Sequence, residues 1–405
     1  MAEQAKVPSI RFAGFTDPWE QRKLGELVVI ERGGSPRPID EYITDDTNGL
    51  NWVKIGDAPS LGRYISKTSE KIKPEGLSKT RQVHPGDLIL SNSMSFGRPY
   101  IMAIEGCIHD GWLLIRDEPK SFDPMYLCHM LGTPKMLNQY RMLASGSTVN
   151  NLNKELVSNA SILMPCKSEQ KVIGQFFNHL DDLITLHQRK YDKLVIFKKS
   201  MLEKMFPKDG ESVPEIRFAG FTDPWEQRKA SEVFQIVDDR GHPTLPVLSA
   251  TQNQGMIYRD DSGRYIGHDE SNEIGYKRVL PGDFVVHLRS FQGGFAHSQY
   301  EGITSPAYTV FRAKEPTSHS DRFWKHWFMS EHFIAGLSTV TYGIRDGRSI
   351  SVDEFMNTFL AFPAVEEQAA ISRLLDYLDD LITLHQRKLE LLRNIKKSLL
   401  DKMFV

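Results

Sequence analysis

The sequence has little cysteine and no long apolar run. Its 405 residues include three cysteines, Cys107, Cys128 and Cys166, and none of them forms a Cys-x-x-Cys pair. This pattern disfavours a zinc site or a disulfide framework and fits a reducing compartment. No run of about 18 apolar residues occurs, and the first residues lack a basic segment followed by an apolar one. We therefore expect a cytoplasmic protein that does not enter a membrane.

Net charge is also scarce. The chain has 50 Lys and Arg against 52 Asp and Glu, which gives a formal charge of −2. With 40% hydrophobic and 25% charged residues, it has the composition of a globular protein of two or three domains. Such a balance lacks the basic excess that marks many nucleic-acid-binding domains. A nucleic-acid partner therefore has to be argued from how the chain is organised.

The common catalytic motifs are missing. The sequence contains no GxxxxGK(S/T) phosphate loop, no GxGxxG, no HExxH and no GxSxG. Asp-Pro-Trp occurs at 17–19 and 223–225 and resembles the amino-methyltransferase motif only loosely, because the second proline is absent. We interpret these segments as turns that use Trp19 and Trp225 as hydrophobic anchors. We predict no catalytic residue in this chain.

A nuclease metal site was the other catalytic possibility. It would combine Asp87 with Glu118 and Lys120, in the manner of an Asp…Glu-x-Lys site. The second half of the chain has Asp283 but no corresponding Glu-x-Lys, and Pro119 would interrupt the supposed catalytic strand. We therefore predict no metal site.

An internal repeat organises the chain. Residues 7–23, VPSIRFAGFTDPWEQRK, recur at 213–229 with a single difference, Ser9 versus Glu215, at an offset of 206 (213 − 7). A fixed spacing between near-identical blocks is the signature of a duplicated architecture. The chain is therefore built from two related halves.

The second repeated block is LDDLITLHQRK. It occupies 180–190 and returns at 378–388, an offset of 198 (378 − 180). Between the two blocks only scattered positions match, at an offset of 196 (279 − 83). These are Val83–Asp87 with Val279–Asp283, Glu105-Gly106 with Glu301-Gly302, and Arg116 with Arg312. The halves share a scaffold, and the remaining side chains have diverged.

Each half has the pattern of a variable globular domain followed by a long helix. Pro-Gly-Asp turns lead into apolar runs at 88–90 and 284–286, which predict buried strands, and Trp52–Ile55 and Ser161–Met164 also favour strands. We predict an α+β fold: two pseudo-repeated domains with mixed or antiparallel sheets, separated by two long antiparallel coiled-coil helices. The predicted boundaries are 1–167 for the first domain, 168–206 for the central helix, 207–365 for a linker and the second domain, and 366–405 for the C-terminal helix.

The helices carry a coiled-coil pattern. No proline interrupts residues 168–206, Ser168 and Glu169 give an acidic start, and Pro207 gives a stop. Steps of four and three residues alternate through ten seam positions in each helix, and eight of the ten are apolar. In the first helix these are Ile173, Phe177, Leu180, Ile184, His187, Tyr191, Leu194, Lys198, Met201 and Met205. In the second they are Ile371, Leu375, Leu378, Ile382, His385, Leu389, Leu392, Lys396, Leu399 and Met403.

The two polar exceptions fall at the same places in both helices. They are His187 and Lys198 in the first helix, and His385 and Lys396 in the second. Polar residues at a seam can fix the register of a coiled coil. The lysines could instead extend along the edge of the stripe with their charge in water. A metal role for the histidines is disfavoured, because no further ligand recurs nearby.

Taken together, the repeated motifs resemble those of a known family. They are the doubled IRFAGFTDPWEQRK entrance, the lead-ins Pro165…Glu169-Gln170 and Pro363…Glu367-Gln368, and the LDDLITLHQRK helices. The chain resembles the specificity subunit of type I restriction–modification systems over essentially its whole length. The resemblance implies that each variable region is a target recognition domain that reads one half of a bipartite, asymmetric DNA target. The helices would hold the two domains at a fixed distance.

The resemblance also implies partners and cofactors. The chain would bind double-stranded DNA and two modification subunits, which carry S-adenosylmethionine and methylate adenine. Restriction subunits would join the complex and supply ATP-driven translocation and Mg-dependent cleavage. The specificity subunit itself would be non-catalytic and would hold no cofactor, in agreement with the missing catalytic motifs.

Candidate base readers are taken from segments where the repeats diverge inside matched frames. Arginine pairs with guanine, and asparagine or glutamine with adenine, through paired hydrogen bonds. In the first domain the candidates are Arg32, Arg37, Asn92, Ser95, Arg98, Ser147, Asn150 and Asn151. In the second they are Thr251, Gln252, Arg289, Gln292, Arg345 and Arg348. Polar residues beside glycine are also common in ordinary turns, so a structural role for any one of them stays open.

Two other classes of function are alternatives to DNA recognition. One is a coiled-coil adaptor whose two heads bind proteins instead of DNA; neighbouring genes for an adenine methyltransferase and a helicase-nuclease would argue against it. The other is a self-sufficient methyltransferase or nuclease.

Charge is uneven among the segments: residues 1–167 sum to +1, 168–206 to +2, 207–365 to −5 and 366–405 to 0. We expect the acidic second domain to hold DNA through a few placed arginines and through partner subunits.

Overall fold

The chain folds into two compact units. The computed structural model describes residues 7–92, 96–144, 151–208, 210–251, 254–262, 270–286, 294–337, 341–342, 349–350 and 352–404. One unit comprises Met1–Lys190 and His385–Val405, and the other comprises Tyr191–Leu384. Each unit therefore holds one variable domain and a portion of each long helix. Within the described ranges, no helix is long and apolar enough to cross a membrane.

Most of the described strands of the first variable domain lie in two sheets. Its strands are β1 (Glu20–Lys23), β2 (Val29–Arg32), β3 (Ile43–Thr44), β4 (Leu50–Val53), β5 (Tyr64–Ile65), β6 (Glu70–Ile72), β7 (Arg81–Val83), β8 (Leu88–Ser91), β9 (Pro99–Met102), β10 (Gly106–Ile108), β11 (Trp112–Arg116) and β12 (Ser161–Met164). Its helices are α1 (Pro124–Leu131), α2 (Pro134–Ala144) and α3 (Lys154–Ser158), followed by the long α4 (Lys167–Lys204). The sheet orders are β3-β6-β4-β10-β7 and β2-β11-β8-β9-β5, and β1 pairs with β12.

The position of strand β8 explains the continuous apolar run at residues 88–90. Leu88 and Leu90 face one hydrophobic cluster, with α1 and α2, while Ile89 faces a second cluster between the sheets. All four residues of the strand are buried. A strand covered on both faces needs a continuous apolar run instead of an alternating one. The predicted strands at 88–90 and 161–164 are confirmed, and the strand predicted at 52–55 lies two residues earlier, at Leu50–Val53.

The second variable domain repeats this plan. Its strands are β13 (Glu226–Lys229), β14 (Phe234–Val237), β15 (Leu248–Thr251), β16 (Gly255–Tyr258), β17 (Lys277–Val279), β18 (Phe284–Val286), β19 (Phe295–His297), β20 (Gly302–Thr304), β21 (Thr309–Ala313), β22 (Thr341–Tyr342), β23 (Ser349–Ile350) and β24 (Phe359–Phe362). Its helices are α5 (Ala230–Val233), α6 (Asp321–Trp327), α7 (Glu331–Leu337) and α8 (Val352–Asn357), followed by the long α9 (Val365–Met403).

The sheet orders show the duplication directly. The sheet β14-β21-β18-β19 corresponds to β2-β11-β8-β9, and the pair β13-β24 corresponds to β1-β12. Phe284 and Val286 of β18 face one cluster and Val285 faces another, as in β8. Most pairings are antiparallel, whereas β4-β10 and β5-β9 are parallel. The predicted mixed α/β class with two long helices is confirmed.

The long helices lie within two residues of the predicted ends. All ten predicted seam positions of each helix are buried or half-buried, including the two histidines and the two lysines. In the first unit, Ile173, Phe177 and Leu180 pack in the same cluster as Met403 and Phe404, so the two helices run antiparallel there. In the second unit, the described cluster joins seam residues of the two helices in the same way, among them Leu194, Met201, Met205, Ile371, Leu375 and Leu378.

The seam lysines are ion-paired. The Lys396 ammonium contacts the Asp181 carboxylate in the first unit, and the Lys198 ammonium contacts Asp379 in the second. The two pairs are equivalent at the 198-residue offset of the repeat. Each lysine therefore bridges the two helices at one defined position. This observation favours the register role over a lysine that merely extends into water.

The entrance motif is joined to each long helix by a buried ion pair. Arg11 Nε and Nη2 each donate to the Glu169 carboxylate at 2.7 Å, and Arg217 makes the same paired contacts with Glu367. Both glutamates are at most 1% exposed. Glu169 was predicted only as an acidic start to the helix. The structure shows that it binds Arg11 of the repeated entrance segment.

The glutamine that follows each of these glutamates also has a defined role. Gln170 accepts from the Asp123 N–H at 2.9 Å and donates to the Pro165 carbonyl, and Gln368 makes the corresponding bonds with Ser320 and Pro363. These contacts hold the start of a domain helix against the start of a long helix. The Pro…Glu-Gln lead-in is therefore a structural joint.

Candidate nucleic-acid interface

Three predicted segments of the first domain meet at one turn. The turn connects β10 with β11 and contains His109, Asp110 and Gly111. Residues 32–37 and Asn92 contact it directly, and residues 151–152 are joined to it through Asn92. Sequence reasoning named candidates in all three segments but did not identify the turn that joins them.

Glycine permits the close approach of the first segment. A Cβ atom on Gly33 would lie 2.2 Å from the His109 carbonyl oxygen, which no side chain tolerates. The Gly33 N–H donates to the Trp112 carbonyl at 2.9 Å, which continues the pairing of β2 with β11. The Gly33 backbone therefore carries the segment with Arg32 and Arg37 across the turn.

The two arginines lie on the exposed side of this turn. Arg32 is exposed, and its Nε donates to the Asp110 carbonyl at 3.3 Å. The Arg37 side chain is 82% exposed, and its Nη2 lies 3.7 Å from Asp110 Oδ2. An exposed ion pair of this length contributes little to stability. The Arg37 guanidinium group lies near the turn and remains accessible to a ligand.

Asn92 has a structural role in this structure. It is 3% exposed, and its side-chain N–H donates to the Asp110 carbonyl at 2.8 Å. Its backbone N–H donates to the Gly111 carbonyl, and its own carbonyl accepts from Leu152. Asn92 therefore joins the turn to the segment that contains Asn151. The Asn151 side chain is exposed.

Arg98 points away from the turn. Its Nη2 donates to the Ser60 carbonyl at 2.9 Å, and its guanidinium carbon lies 5.1 Å from the centre of the Tyr100 ring. The side chain is half-buried. Arg98 thus lines a separate cleft of the first unit and is not brought together with Arg32 and Arg37.

In the second domain, Thr251 lies at a hairpin end between β15 and β16. Its hydroxyl donates to the Gly255 carbonyl at 2.8 Å and accepts from the Gln254 N–H. A Cβ on Gly255 would lie 2.3 Å from the His297 carbonyl, so this hairpin packs closely on β19. The remaining candidates lie outside the described residues. They are Ser95, Ser147, Asn150, Gln252, Arg289, Gln292, Arg345 and Arg348.

The residues that sequence reasoning missed belong to the turn itself. Ser35 Oγ donates to Asp110 Oδ1 at 3.0 Å, and the Gly111 N–H donates to His109 Nδ1 at 2.9 Å. The available signal was the Asp-Gly pair at 110–111, which marks a turn between strands. Asp110 thereby contacts both arginines and Asn92.

The matched frame of each domain is held by an arginine–aspartate pair. Arg116 donates to Asp87, with Nη2 2.8 Å from Oδ2, and Arg312 donates to Asp283 at 2.7 Å. The same aspartates accept the N–H of His84 or Leu280 and close the Pro-Gly-Asp turn. The ion pair raises the pKa of each arginine further. These matched residues are scaffold, which leaves the divergent segments free to vary.

One group of side chains has a geometry that a metal ion could use. Ligand atoms of His326, Asp376 and Asp379 lie within 4.8 Å of one another. Lys325 contacts both carboxylates, Arg322 contacts Asp376 and Lys198 contacts Asp379. Burial raises the pKa of Asp376, but the His326 hydrogen bond and the Lys325 charge outweigh burial and hold this pKa well below its usual range. Because these cations already neutralise the carboxylates, the cluster is an ion-pair network that joins α6 to the long helices.

Comparisons with known proteins agree with this architecture. Residues 16–195 match the family model described as the type I restriction modification DNA specificity domain. The chain is 22% identical over 406 aligned residues to the specificity subunit of the type I restriction enzyme MjaVIII from Methanocaldococcus jannaschii, covering 95% of this chain and 92% of that protein.

Two solved structures share the fold. One is the S subunit of the type I restriction–modification system from M. genitalium, with a TM-score of 0.57 and 12% identity over 98% of this chain and 99% of that chain. The other is a chain from a study of complex assembly and conformational transition of a type I restriction–modification system, with a TM-score of 0.52 and 16% identity over 95% and 97% of the two chains.

The matched region begins inside the entrance motif and ends in the first long helix, and the same motifs recur in the second half of the chain. The relatives and the shared fold extend over both halves. The chain is therefore similar over both of its halves to the specificity subunits of type I restriction enzymes.

Proposed function

We propose that this chain is the sequence-specific DNA-binding subunit of a type I restriction–modification complex and reads a bipartite, asymmetric target. The observation that carries the proposal is the contrast within the repeat. The buried joints, Arg11–Glu169 and Arg217–Glu367, are the same in both units, whereas the segments around the exposed turns differ. Two like scaffolds with unlike exposed segments suit the reading of two different half-sites.

In the first domain, we assign the DNA-facing surface to the turn organised by Asp110. Arg32 and Arg37 lie there with exposed guanidinium groups, and Asn151 is exposed on the neighbouring segment. Arginine can make paired hydrogen bonds to guanine, and asparagine can make them to adenine. Asn92 supports this surface from beneath. The second domain would use its own divergent segments, including Arg289, Gln292, Arg345 and Arg348.

The negative net charge of the second domain limits how this domain can bind DNA. Residues 207–365 sum to −5, so non-specific attraction to phosphate is weak or repulsive over this segment. Partner subunits that carry basic surfaces would supply the counterion-release part of the affinity. We therefore propose that tight DNA binding requires the assembled complex.

The proposed partners are two modification subunits, which bring S-adenosylmethionine and methylate adenine, and restriction subunits, which bring ATP- and Mg-dependent translocation and cleavage. The chain itself contributes recognition and assembly without a catalytic centre. Purified chain alone is then expected to show neither methylation nor cleavage, and addition of modification subunits is expected to start methylation.

The test is long-read mapping of methylated adenines in cells with and without this gene. The proposal predicts one interrupted, asymmetric methylated motif that disappears when the gene is deleted. A methylation pattern that is unchanged by the deletion would overturn the recognition role. Methylation by the purified chain alone would contradict the non-catalytic role.

A further inference from the structure

The first unit contains a cleft that the recognition function does not use. Its volume is about 560 Å³, within the range of sites that hold a ligand or an anchoring side chain. It lies where loops of the first domain meet the two long helices. The described residues that form its apolar floor are Leu61, Phe96, Pro99, Leu137, Ile184 and Leu400.

The rim of this cleft is strongly basic. The described residues that line it include five cations, Arg63, Arg98, Arg393, Lys396 and Lys397, and one carboxylate, Asp181. Arg63 and Lys396 both contact that carboxylate, so it is already neutralised. Burial and the neighbouring Arg63 lower the pKa of Lys396, as expected where positive charge is in excess. Lys397 is exposed on the rim.

In the second unit, the described residues at the equivalent positions of the long helix line a smaller pocket. Its volume is about 180 Å³. At the 198-residue offset of the repeat, Lys198, Lys199 and Leu202 take the places of Lys396, Lys397 and Leu400. The domain residues that line it differ from those of the first unit.

Two substitutions between the repeats distinguish the described lining residues of the two pockets. Met329 stands in place of Gly132, and Glu331 stands in place of Pro134, both at an offset of 197 (329 − 132). The Met329 side chain adds volume where glycine has none. The Glu331 carboxylate lies 2.9 Å from Lys199 Nζ and neutralises it. At this position the second unit therefore has a methionine and a carboxylate that pairs with Lys199, whereas the first unit has glycine and proline.

We propose that the cleft of the first unit is the docking site for an acidic peptide segment of a partner protein, with one bulky apolar side chain on the floor and carboxylates at the rim. The second unit indicates this chemistry, because there a methionine and a glutamate of the chain occupy the equivalent position. An apolar floor favours a peptide over a nucleic-acid backbone, which offers phosphates but no apolar anchor. The cleft lies outside the proposed DNA-facing surface.

The experiment places a photo-crosslinking benzoylphenylalanine at Thr185, which lines the cleft, in the full chain purified with its modification and restriction subunits and target duplex. We expect an adduct with a protein segment in which Asp or Glu flank a large apolar residue. Lys397→Glu, which reverses a rim charge, is expected to reduce the adduct at least tenfold. Pro134→Glu, which copies the second unit at the first position of α2, is expected to do the same.

Two matched controls come from the repeat. The crosslinker at Thr383, the equivalent of Thr185, is expected to give no such adduct, and Lys199→Glu is expected to leave the Thr185 adduct unchanged. Thermal melting of each variant verifies folding. An adduct with DNA, an adduct with a segment that lacks acidic residues, no adduct, or an adduct insensitive to both Lys397→Glu and Pro134→Glu would overturn the proposal. Target methylation measured on the same samples reports separately on the recognition function.

Discussion

His187 Nδ1 lies 2.8 Å from His385 Nδ1, so the two seam histidines of the long helices form a direct hydrogen bond. The two residues are equivalent in the repeat, at an offset of 198 (385 − 187). One ring nitrogen has to donate and the other has to accept, so at least one imidazole is neutral. The pair resembles a polar seam contact that fixes helix register.

This pair predicts acid sensitivity of the helix pairing. Burial lowers the pKa of both histidines, and the charges of Lys190 and Lys388 lower it further. Because the folded-state pKa lies below the unfolded value, the unfolded chain binds more protons as the pH falls. Stability is therefore complete above about pH 6.5 and is expected to decrease as the pH falls through and below that value.

The measurement is the melting temperature between pH 8 and pH 5 for the natural chain and for the double variant His187→Leu/His385→Leu. The variant is expected to lose less stability on acidification. His129, His319 and His326 also have lowered pKa values and remain in both proteins, so the difference between the two curves isolates the pair. Curves that fall in parallel would show that the pair does not titrate on unfolding.

Removal of Arg11 is expected to destabilise the first unit. Arg11→Ala leaves Glu169 buried and without its paired guanidinium, a change that typically costs about 3–5 kcal/mol. Arg217→Ala is expected to cost less, because Trp225 Nε1 still donates to Glu367 at 3.0 Å, whereas Trp19 Nε1 has no hydrogen-bond partner among the described residues. Denaturant unfolding of both variants checks the order.

The control for these variants is Arg22→Ala, which removes an exposed ion pair with Glu26. It is expected to leave the free energy of unfolding nearly unchanged, because exposed ion pairs contribute little to stability. Equal losses for all three variants would contradict the buried-joint interpretation.

Asn92 is expected to affect folding of the recognition surface. Asn92→Ala removes the side-chain donor to the Asp110 carbonyl and is expected to cost about 1–3 kcal/mol, because that carbonyl loses its buried partner. Hydrogen exchange of the Gly111 and Leu152 amides is expected to accelerate with it. An unchanged exchange rate with lower DNA affinity would instead make Asn92 a direct base reader.

Arg37 is expected to affect DNA binding without affecting stability. Its side chain is 82% exposed, so Arg37→Ala is expected to leave the melting temperature unchanged. If Arg37 contacts a base, DNA affinity of the assembled complex falls by about 1–3 kcal/mol and specificity is relaxed at one position. Arg22→Ala, with the same loss of charge outside the turn, provides the matched control. An Arg37→Ala complex with unchanged affinity and specificity would remove Arg37 from the interface.

Much of the architecture was predictable from the sequence because it depends on local residue patterns. The seam residues follow helical spacing, and β8 and β18 are continuous apolar runs between turn signals. The ion-pair joints were not predictable, because Arg11 and Glu169 are far apart in sequence and their partnership depends on tertiary packing. The same reason explains Asn92, whose polar sequence context fitted a surface reader while its side chain is buried under a turn.

The central claim is that each variable domain reads its own half of the target. Exchange of residues 230–360 for the corresponding domain of another specificity subunit, followed by mapping of methylated adenines, tests this claim most directly. We predict that one half of the methylated motif changes while the other half is retained, because the first domain and both arginine–glutamate joints are untouched. A change in both halves of the motif would contradict the account.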